Sequence, residues 1–449
     1  MSKARIHYAR VDEFWRKEQK YRFLEEKQQR SNIEWQKIHP DEKHTWLTEG
    51  LQTDFDGFLA LGTKEAKQKK TLNANTVFKE YSSGVNTARD FTVYDFHRAD
   101  LAKKIELFCD DYNAEVHRYR QKGEPKGLDD FLSYEKVKWS LHLKLCLKAK
   151  KLASFDPSKI RHCLYRPFTP KLLFFDSVLI DAQTLQKYFF PIEDAENENC
   201  AIHISDKGFR STFSVLISRT LADFHVVAST DNFQSFPFYT YDKDGSNRKE
   251  NITDWALAEY RSHYKKKSIT KWDIFHYVYA LLHHPVYRTR YAANLKRELP
   301  RVPYAPDFHA FAQAGKRLAE LHVDYEKQPE YPLEMIESPE ASLDWRVEKM
   351  RLSKDKTQIV YNDFLTLAGI PAEAFEYRLG NRSALDWVID QYQVSTDKRS
   401  DITNDPNRAD DPQYIVRLIG QVITVSLETM KIVRALPDLG IAAQADELK

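Results

Sequence analysis

The stretch CAIHISDKGFRSTFSVLIS, residues 200–218, reads as two short strands, Cys200–Ser205 and Phe213–Ser218, separated by the polar turn Asp206–Ser211. Short apolar runs bounded by turn residues are strand signals. LLFFD at Leu172–Asp176 and FHVVAST at Phe224–Thr230 repeat the pattern, the latter after a second turn-like segment, Ser218–Asp223. These runs, all between Ile160 and Tyr241, predict a mixed sheet in the middle of the chain. GVNTARDFTVYDF, Gly84–Phe96, reads as one more strand after a turn, with Phe91, Val93 and Asp95 on one face.

Helical spacing dominates on either side. Helices are expected over Val11–Gln29, Leu101–Arg120, Val137–Leu152 and Phe308–Leu321. In Thr270–Leu299, Thr270 and Asp273 stand at capping-box spacing, Ile274, Tyr277, Val278 and Leu281 form a core stripe, and Pro285 divides the segment into two helices. Asn381 or Ser383 caps a helix running to Tyr392 with Trp387 in the core. A long helix spans Gln413–Leu436, with Asp410 or Asp411 as N-cap and Pro412 at its first position. Lys327–Ser342 is a Pro/Glu-rich connector. The expected fold class is α+β, a central mixed sheet region with flanking helical modules, divided into residues 1–75, 76–330 and 331–449.

Composition narrows the function. At 449 residues, with 42% hydrophobic and 13% aromatic content, the chain is globular and long enough for two or three cores. Thirteen glycines are few for an all-β fold of tight turns or for Gly-rich nucleotide loops. Cys109, Cys146, Cys163 and Cys200 are scattered with no C-x-x-C pair, which fits a reduced, cytoplasmic chain without a zinc cluster. No apolar run is long enough to span a membrane. The Walker A, G-x-S-x-G, H-E-x-x-H and zinc-deaminase signatures are all missing.

Net charge is only +2, yet the basic residues cluster. Lys136–Lys151 holds six lysines and no acid, Arg261–Lys271 holds five basic residues and no acid, and Tyr287–Arg301 is a third basic run. Trp139, Tyr264, Trp272 and Tyr291 are interleaved with them. Such runs suit either a polyanion-binding face or solvated helix faces.

YDKDGSNRKENITDW, Tyr241–Trp255, imitates a calcium loop, but counting from Asp242 puts Asn247 where the obligatory glycine belongs and Thr253 where the glutamate belongs. It is a sharp turn carrying Lys243, Asn247, Arg248 and Lys249, with a helix starting at Thr253. Asp41, Glu65 and Lys67 formally spell a metal-nuclease pattern, which requires acids on adjacent strands. Asp411–Tyr414, DPQY, brushes against an amino-methyltransferase motif, with Gln413 in place of the second proline.

Six phrases together are specific: IHYARVDEFWRKEQKYRFL (6–24), YSSGVNTARDFTVYDF (81–96), YRPFTPKLLFFD (165–176), QSFPFYTYDKDGSNRKENITDW (234–255), SITKWDIFHYVYALLHHPVYRTRYAANLKRELPRVP (268–303) and YRLGNRSALDWVIDQYQVSTDKRSDITNDPN (377–407). They resemble the C-terminal, target-recognition part of type ISP restriction-modification enzymes, in the family's order, from about residue 5 to about residue 436. In that family one polypeptide carries a nuclease, a helicase-like motor, a coupler, an adenine-N6 methyltransferase and the target-recognition domain. The resemblance implies that residues 1–75 are the tail of a methyltransferase-type domain with its connector, 76–330 the recognition core and 331–449 a mostly helical subdomain. It implies double-stranded DNA and the upstream methyltransferase and helicase parts as partners. It also implies no cofactor in this chain, S-adenosylmethionine, ATP and magnesium being used by parts upstream of Met1.

Side chains that pair with base edges or phosphates from turns off a rigid sheet are the natural contacts for such a role. On that basis Asn86, Thr87 and Arg89 in the Gly84 turn, Lys207 and Arg210 in DKGFRS, Asn247, Arg248 and Lys249, and Lys398 and Arg399 in STDKRSD are the expected DNA-binding residues. Against this stand an ion pair of Arg89 with Asp90, and a core-anchoring role for Arg166-Pro167-Phe168. Two other functions compete: a docking module for an upstream motor without DNA reading, and a magnesium nuclease through Asp41, Glu65 and Lys67.

Overall fold

A computed structural model describes residues 4–12, 15–42, 44–67, 75–123, 125, 127–227 and 231–441, the Lys67 side chain excepted. The chain forms two compact units, 1–53 and 54–449. In the first, Ile6–Tyr8 pairs antiparallel with Gln36–Ile38, and the helix Lys17–Lys27 lies between them in sequence. None of this unit's described residues is buried. The sequence-based divisions after residues 75 and 330 fall inside the second unit.

The second unit is α+β. Its strands form several small sheets around two hydrophobic clusters. One sheet is mixed: Leu221–Ala222, Ile160–Arg166, Thr169–Phe174 and Tyr94–Asp95 lie in that order, the first pair parallel and the rest antiparallel. The helices Arg98–Lys122 and Leu141–Lys148 share its cluster, through Ile105, Tyr112, Leu143 and Leu147. A second, antiparallel sheet has the order Ser82–Ser83, Phe233–Pro237, Ala201–Ser205, Val215–Ser218. The opening stretch is therefore two paired strands, buried at every position. At its centre His203 ties three strands together, with Nδ1 2.8 Å from Ser235 Oγ and Nε2 2.8 Å from Ser218 Oγ. The larger cluster joins this sheet to the helices Lys271–His283, Phe308–Val323, Ala384–Gln391 and Tyr414–Arg434.

Local signals were followed where the chain satisfies them locally. Thr270 and Asp273 form the capping box, Thr253 caps Asp254–Tyr264, and Ser383, rather than Asn381, caps Ala384–Gln391 with Trp387 buried. Three expectations need correction. Asp90–Val93 in the expected strand is a helical turn, because the Arg89 carbonyl accepts from the amides of Thr92 (3.0 Å) and Val93 (3.2 Å) and the Thr87 hydroxyl donates to Asp90. Phe224–Val227 is a turn, since the His225 amide donates to the Asp223 carboxylate (2.8 Å) and bends the chain out of the sheet. Ala228–Thr230 lie outside the described residues. The long C-terminal helix begins at Tyr414 without a side-chain cap, Asp411 being engaged instead by Arg417.

The helices Lys271–His283 and Phe308–Val323 approach backbone to backbone at Gly315, where an added Cβ would sit 1.8 Å from the His276 carbonyl oxygen. Neither helix can yield without disturbing the larger cluster. Gly315→Ala should therefore cost about 1–3 kcal/mol or more, read as a lowered midpoint in thermal unfolding; an unchanged midpoint would mean the helices can separate freely. Among the described residues no helix is long and apolar enough to cross a membrane.

Candidate nucleic-acid interface

At the end of the Ala201–Ser205 and Val215–Ser218 pair, the loop between them is fixed from below. The Asp206 amide donates to Asn232 O (2.9 Å) and the Asp206 carboxylate accepts from Gln234 Nε2 (2.9 Å). Gly208, at φ +79°, donates its amide to Lys296 O (2.7 Å). The buried Asp231 carboxylate accepts from the amides of Arg210 and Ser211, each at 3.0 Å, and from the Ser211 hydroxyl at 2.6 Å. Thr212 Oγ1 donates to Gly380 O (2.8 Å) and the Gly380 amide to Ser214 Oγ (2.7 Å), which joins the loop to the Arg378–Ser383 hairpin. Every backbone turn is held, while the side chains of Lys207 and Arg210 are exposed and make no hydrogen bond or ion pair among the described residues.

Two lysines not singled out in the sequence join them. Lys296, whose carbonyl anchors Gly208, is exposed, and so is Lys64, which lines a cleft of about 420 Å³ with Lys207, Arg297, Tyr81, Asp206 and the Arg301–Glu298 pair. Burial, with Asp206 and Glu65 nearby, pushes the Tyr81 hydroxyl up to about 12, so it remains a neutral donor. Lys296 belongs to the third basic run, so its signal was present. Lys64 is brought in by the pairing of Leu59–Ala60 with Arg301–Val302, which no local pattern announces.

The other expected contacts are placed differently. Asn86 is exposed, with its backbone bridged to Ala182. Thr87 and Arg89 are buried at 2% and 3% exposure. Arg89 donates to Ser140 Oγ (2.8 Å), Asp181 Oδ1 (3.1 Å) and the Leu179 carbonyl, so its partner is Asp181 and not Asp90, and it organises the interior. Asn247 donates to Asp242 Oδ2 (2.6 Å) and closes its own turn; Arg248 pairs with Glu198 and lies 4.8 Å from the Tyr239 ring centre; Lys249 is exposed in a two-residue strand. Lys398 and Arg399 are exposed at the tip of the hairpin Ser395–Thr396/Thr403–Asn404, their side chains without hydrogen bonds or ion pairs among the described residues. Lys138 helps hold the Asp397 carboxyl low, after hydrogen bonds from Ser400, so the first basic run comes near this hairpin.

Each basic run loses part of its charge to internal pairs. Lys136 and Lys144 pair with Asp111 and Asp129, Lys271 with Glu250 and Asp254, Arg290 with Asp54. The interleaved aromatics turn inward: Trp139 and Tyr291 are buried, and Tyr264 and Trp272 are partly buried against the core, Trp272 stacking 3.6 Å from Phe238. Arg166 is likewise internal, bound to Asp223 at 2.8 Å. Of the nuclease triad, Asp41 accepts from the Thr45 amide (2.8 Å), Glu65 lies in an exposed helical turn instead of a strand, and the Lys67 side chain is outside the described residues.

The model of the type ISP C-terminal specificity domain matches residues 76–418. This chain belongs to that family. The type ISP specificity domain here is 32% identical to a nuclease-deletion mutant of the type ISP restriction-modification enzyme LlaGI in complex with a DNA substrate mimic, with a TM-score of 0.84 over 98% of this chain and 40% of that one. A DrdV–DNA complex solved by cryo-electron microscopy gives 32% identity and a TM-score of 0.84 over 97% of this chain and 44% of that one. The ATP-dependent type ISP enzyme LlaBIII bound to DNA gives 30%, 0.78, 91% and 26% respectively. The specificity domain thus spans less than half the length of each of these chains. No curated protein matches it.

Proposed function

We propose that this chain recognises a target sequence in duplex DNA as the specificity module of a type ISP restriction-modification enzyme, and that methyl transfer, translocation and cleavage, with S-adenosylmethionine, ATP and magnesium, belong to other parts of such an enzyme. The observation that carries this is the rigid loop Asp206–Ser214, which presents Lys207 and Arg210 unpaired beside Lys296 and Lys64. Loops whose backbones are already bonded lose little entropy on binding, and unpaired cations gain most from phosphate. The four cysteines, buried and free of disulfides, fit a cytoplasmic setting.

Fluorescence anisotropy against a randomised duplex pool, followed by sequencing of the bound fraction, tests the reading. Enrichment of one asymmetric motif is expected. Lys207→Ala and Arg210→Ala should weaken binding, and each one that meets a phosphate should reduce the slope of log K against log salt by about 1. Salt-insensitive behaviour, or the absence of duplex binding, would move the function to docking of protein partners.

A further inference from the structure

A small pocket of about 200 Å³ lies apart from the loop described above, lined by Asp90, Phe91, Tyr165, Lys171, Gln391 and Asn404 among others. Two lysines reach this part of the interior and are treated differently. Lys104 is fully satisfied: it donates to Phe91 O (2.9 Å), Tyr94 O (2.8 Å) and Asn404 Oδ1 (3.1 Å), and pairs with Asp95 at 2.5 Å. Lys171, only 9% exposed, lies 4.5 Å and 4.3 Å from the ring centres of Phe96 and Tyr165, and has no hydrogen bond or ion pair among the described residues. Burial, reinforced by Arg166 and Lys104, pushes its pKa down to about 7. An amine held largely out of water without a protein acceptor is costly, and the pocket it lines is the place where an acceptor would sit.

The rest of the lining indicates what kind of acceptor. Asp90 and Asp390 also line the pocket, their carboxylates already engaged by Tyr165 (3.1 Å) and Arg382 (2.5 Å), and two acids beside one lysine disfavour a phosphate. Gln391 and Gln393 use their amide nitrogens on Asp390, and Asn404 uses its oxygen on Lys104, so two amide oxygens and one amide nitrogen remain without partners among the described residues. Amide donors and acceptors and the lysine amine thus line one pocket with Phe91, Tyr94 and Tyr165, the combination that reads the edge and face of a heterocycle. The volume is below that of a typical pocket for a whole small molecule, about 300–1,000 Å³, and suits a single ring system. The position is also informative. Asp90 and Phe91 directly follow the Gly84 turn, and Ser395 and Asn404 are the two feet of the hairpin that carries Lys398 and Arg399.

We propose that this pocket receives one nucleobase turned out of the bound duplex, with Lys171 Nζ hydrogen-bonding to an acceptor on the base and the Gln391, Gln393 and Asn404 amides completing its edge. The proposal rests on the DNA-recognition reading above. Lys398 and Arg399 hold the strand from which the base is drawn, and the pocket adds sequence discrimination at that one position, since a base lacking the matching groups leaves buried polar atoms unpaired.

The test uses the full chain and its selected duplex, with 2-aminopurine placed in turn at each purine of both strands. On binding, emission at one position, the extruded base or its unstacked neighbour, should rise several-fold. Lys171→Met and Gln393→Ala, the latter at a partly exposed position, should each abolish that rise while anisotropy still reports duplex binding. Duplex binding with flat emission at every position overturns the pocket assignment and leaves target recognition intact. A rise that survives both substitutions also overturns it. Failure to bind any duplex removes the recognition reading and this inference with it.

Discussion

Acidification from pH 7 to pH 5 is expected to remove on the order of 6 kcal/mol of folding stability. Three fully buried histidines are held neutral. His203 sits between Ser235 and Ser218, and burial pushes it down to about 3. His283, also down to about 3 through burial, has Nδ1 2.9 Å from the Tyr279 carbonyl. His322, well below its ordinary value for the same reason, lies between the Tyr279 hydroxyl (2.6 Å) and Thr429 Oγ1 (2.8 Å). Because the folded state keeps these rings neutral while the unfolded chain protonates them near 6.5, their stabilisation is complete above 6.5 and is lost as pH falls below it. That is ~2 kcal/mol for each ring by pH 5. His276, down to about 4, adds a similar loss, and the buried Glu196 carboxyl, pushed up to about 7, offsets it in the opposite direction. Carboxyls held low, such as Asp254 beside Lys271, titrate below this window. Urea unfolding at pH 7, 6 and 5 reads the effect as a falling midpoint. His322→Gln should flatten the profile by about a third of its drop, and a midpoint constant from 7 to 5 would show that these rings protonate without cost.

What could be read from the sequence, and what could not, separates by range. Thr270–Asp273, Thr253 and Ser383 were legible because a cap is satisfied within three residues of itself. The strands Ala201–Ser205 and Val215–Ser218 were legible because full burial leaves a continuous apolar run. The edge strand Glu334–Glu337 was not, since it is exposed at all four positions and is defined only by pairing with Leu365–Ala368. The same distinction governs the interface. Lys207 and Arg210 follow from turn chemistry in their own loop, but Arg89 has the same local appearance, and only Leu179 and Asp181, some 90 residues away, draw it inside. The pocket around Lys171 was invisible for the same reason, being assembled from the Asp90 turn, a strand and the Ser395–Asn404 hairpin.

Asp223→Ala is expected to cost about 3–5 kcal/mol, the largest effect of any single substitution considered. Asp223 is 3% exposed, and its carboxylate accepts from Arg166 Nη1 (2.8 Å), the His225 amide (2.8 Å) and the Tyr94 hydroxyl (3.0 Å). Its backbone is fixed as well: the amide donates to Leu164 O (3.0 Å), Val85 bridges to it, and Gly84 passes so close that a Cβ there would lie 2.2 Å from the Asp223 carbonyl oxygen. Alanine would strand the Arg166 charge in the interior and leave the Tyr94 hydroxyl without its acceptor, and both penalties fall on the folded state alone. If the uncompensated charge is the main cost, the double variant Arg166→Met, Asp223→Leu should recover most of the loss, because a desolvated ion pair contributes little beyond its own mutual compensation. Equilibrium urea unfolding distinguishes the two. A double variant as unstable as the single one would mean that the hydrogen bonds to His225 and Tyr94, and not the charge, hold the Gly84 turn and the Phe224–Val227 turn together. Either way the residues on the rim of the proposed interface should keep their salt slope for duplex binding wherever the variant remains folded, because Asp223 positions the turn beneath Asn86 and carries no exposed charge of its own to phosphate.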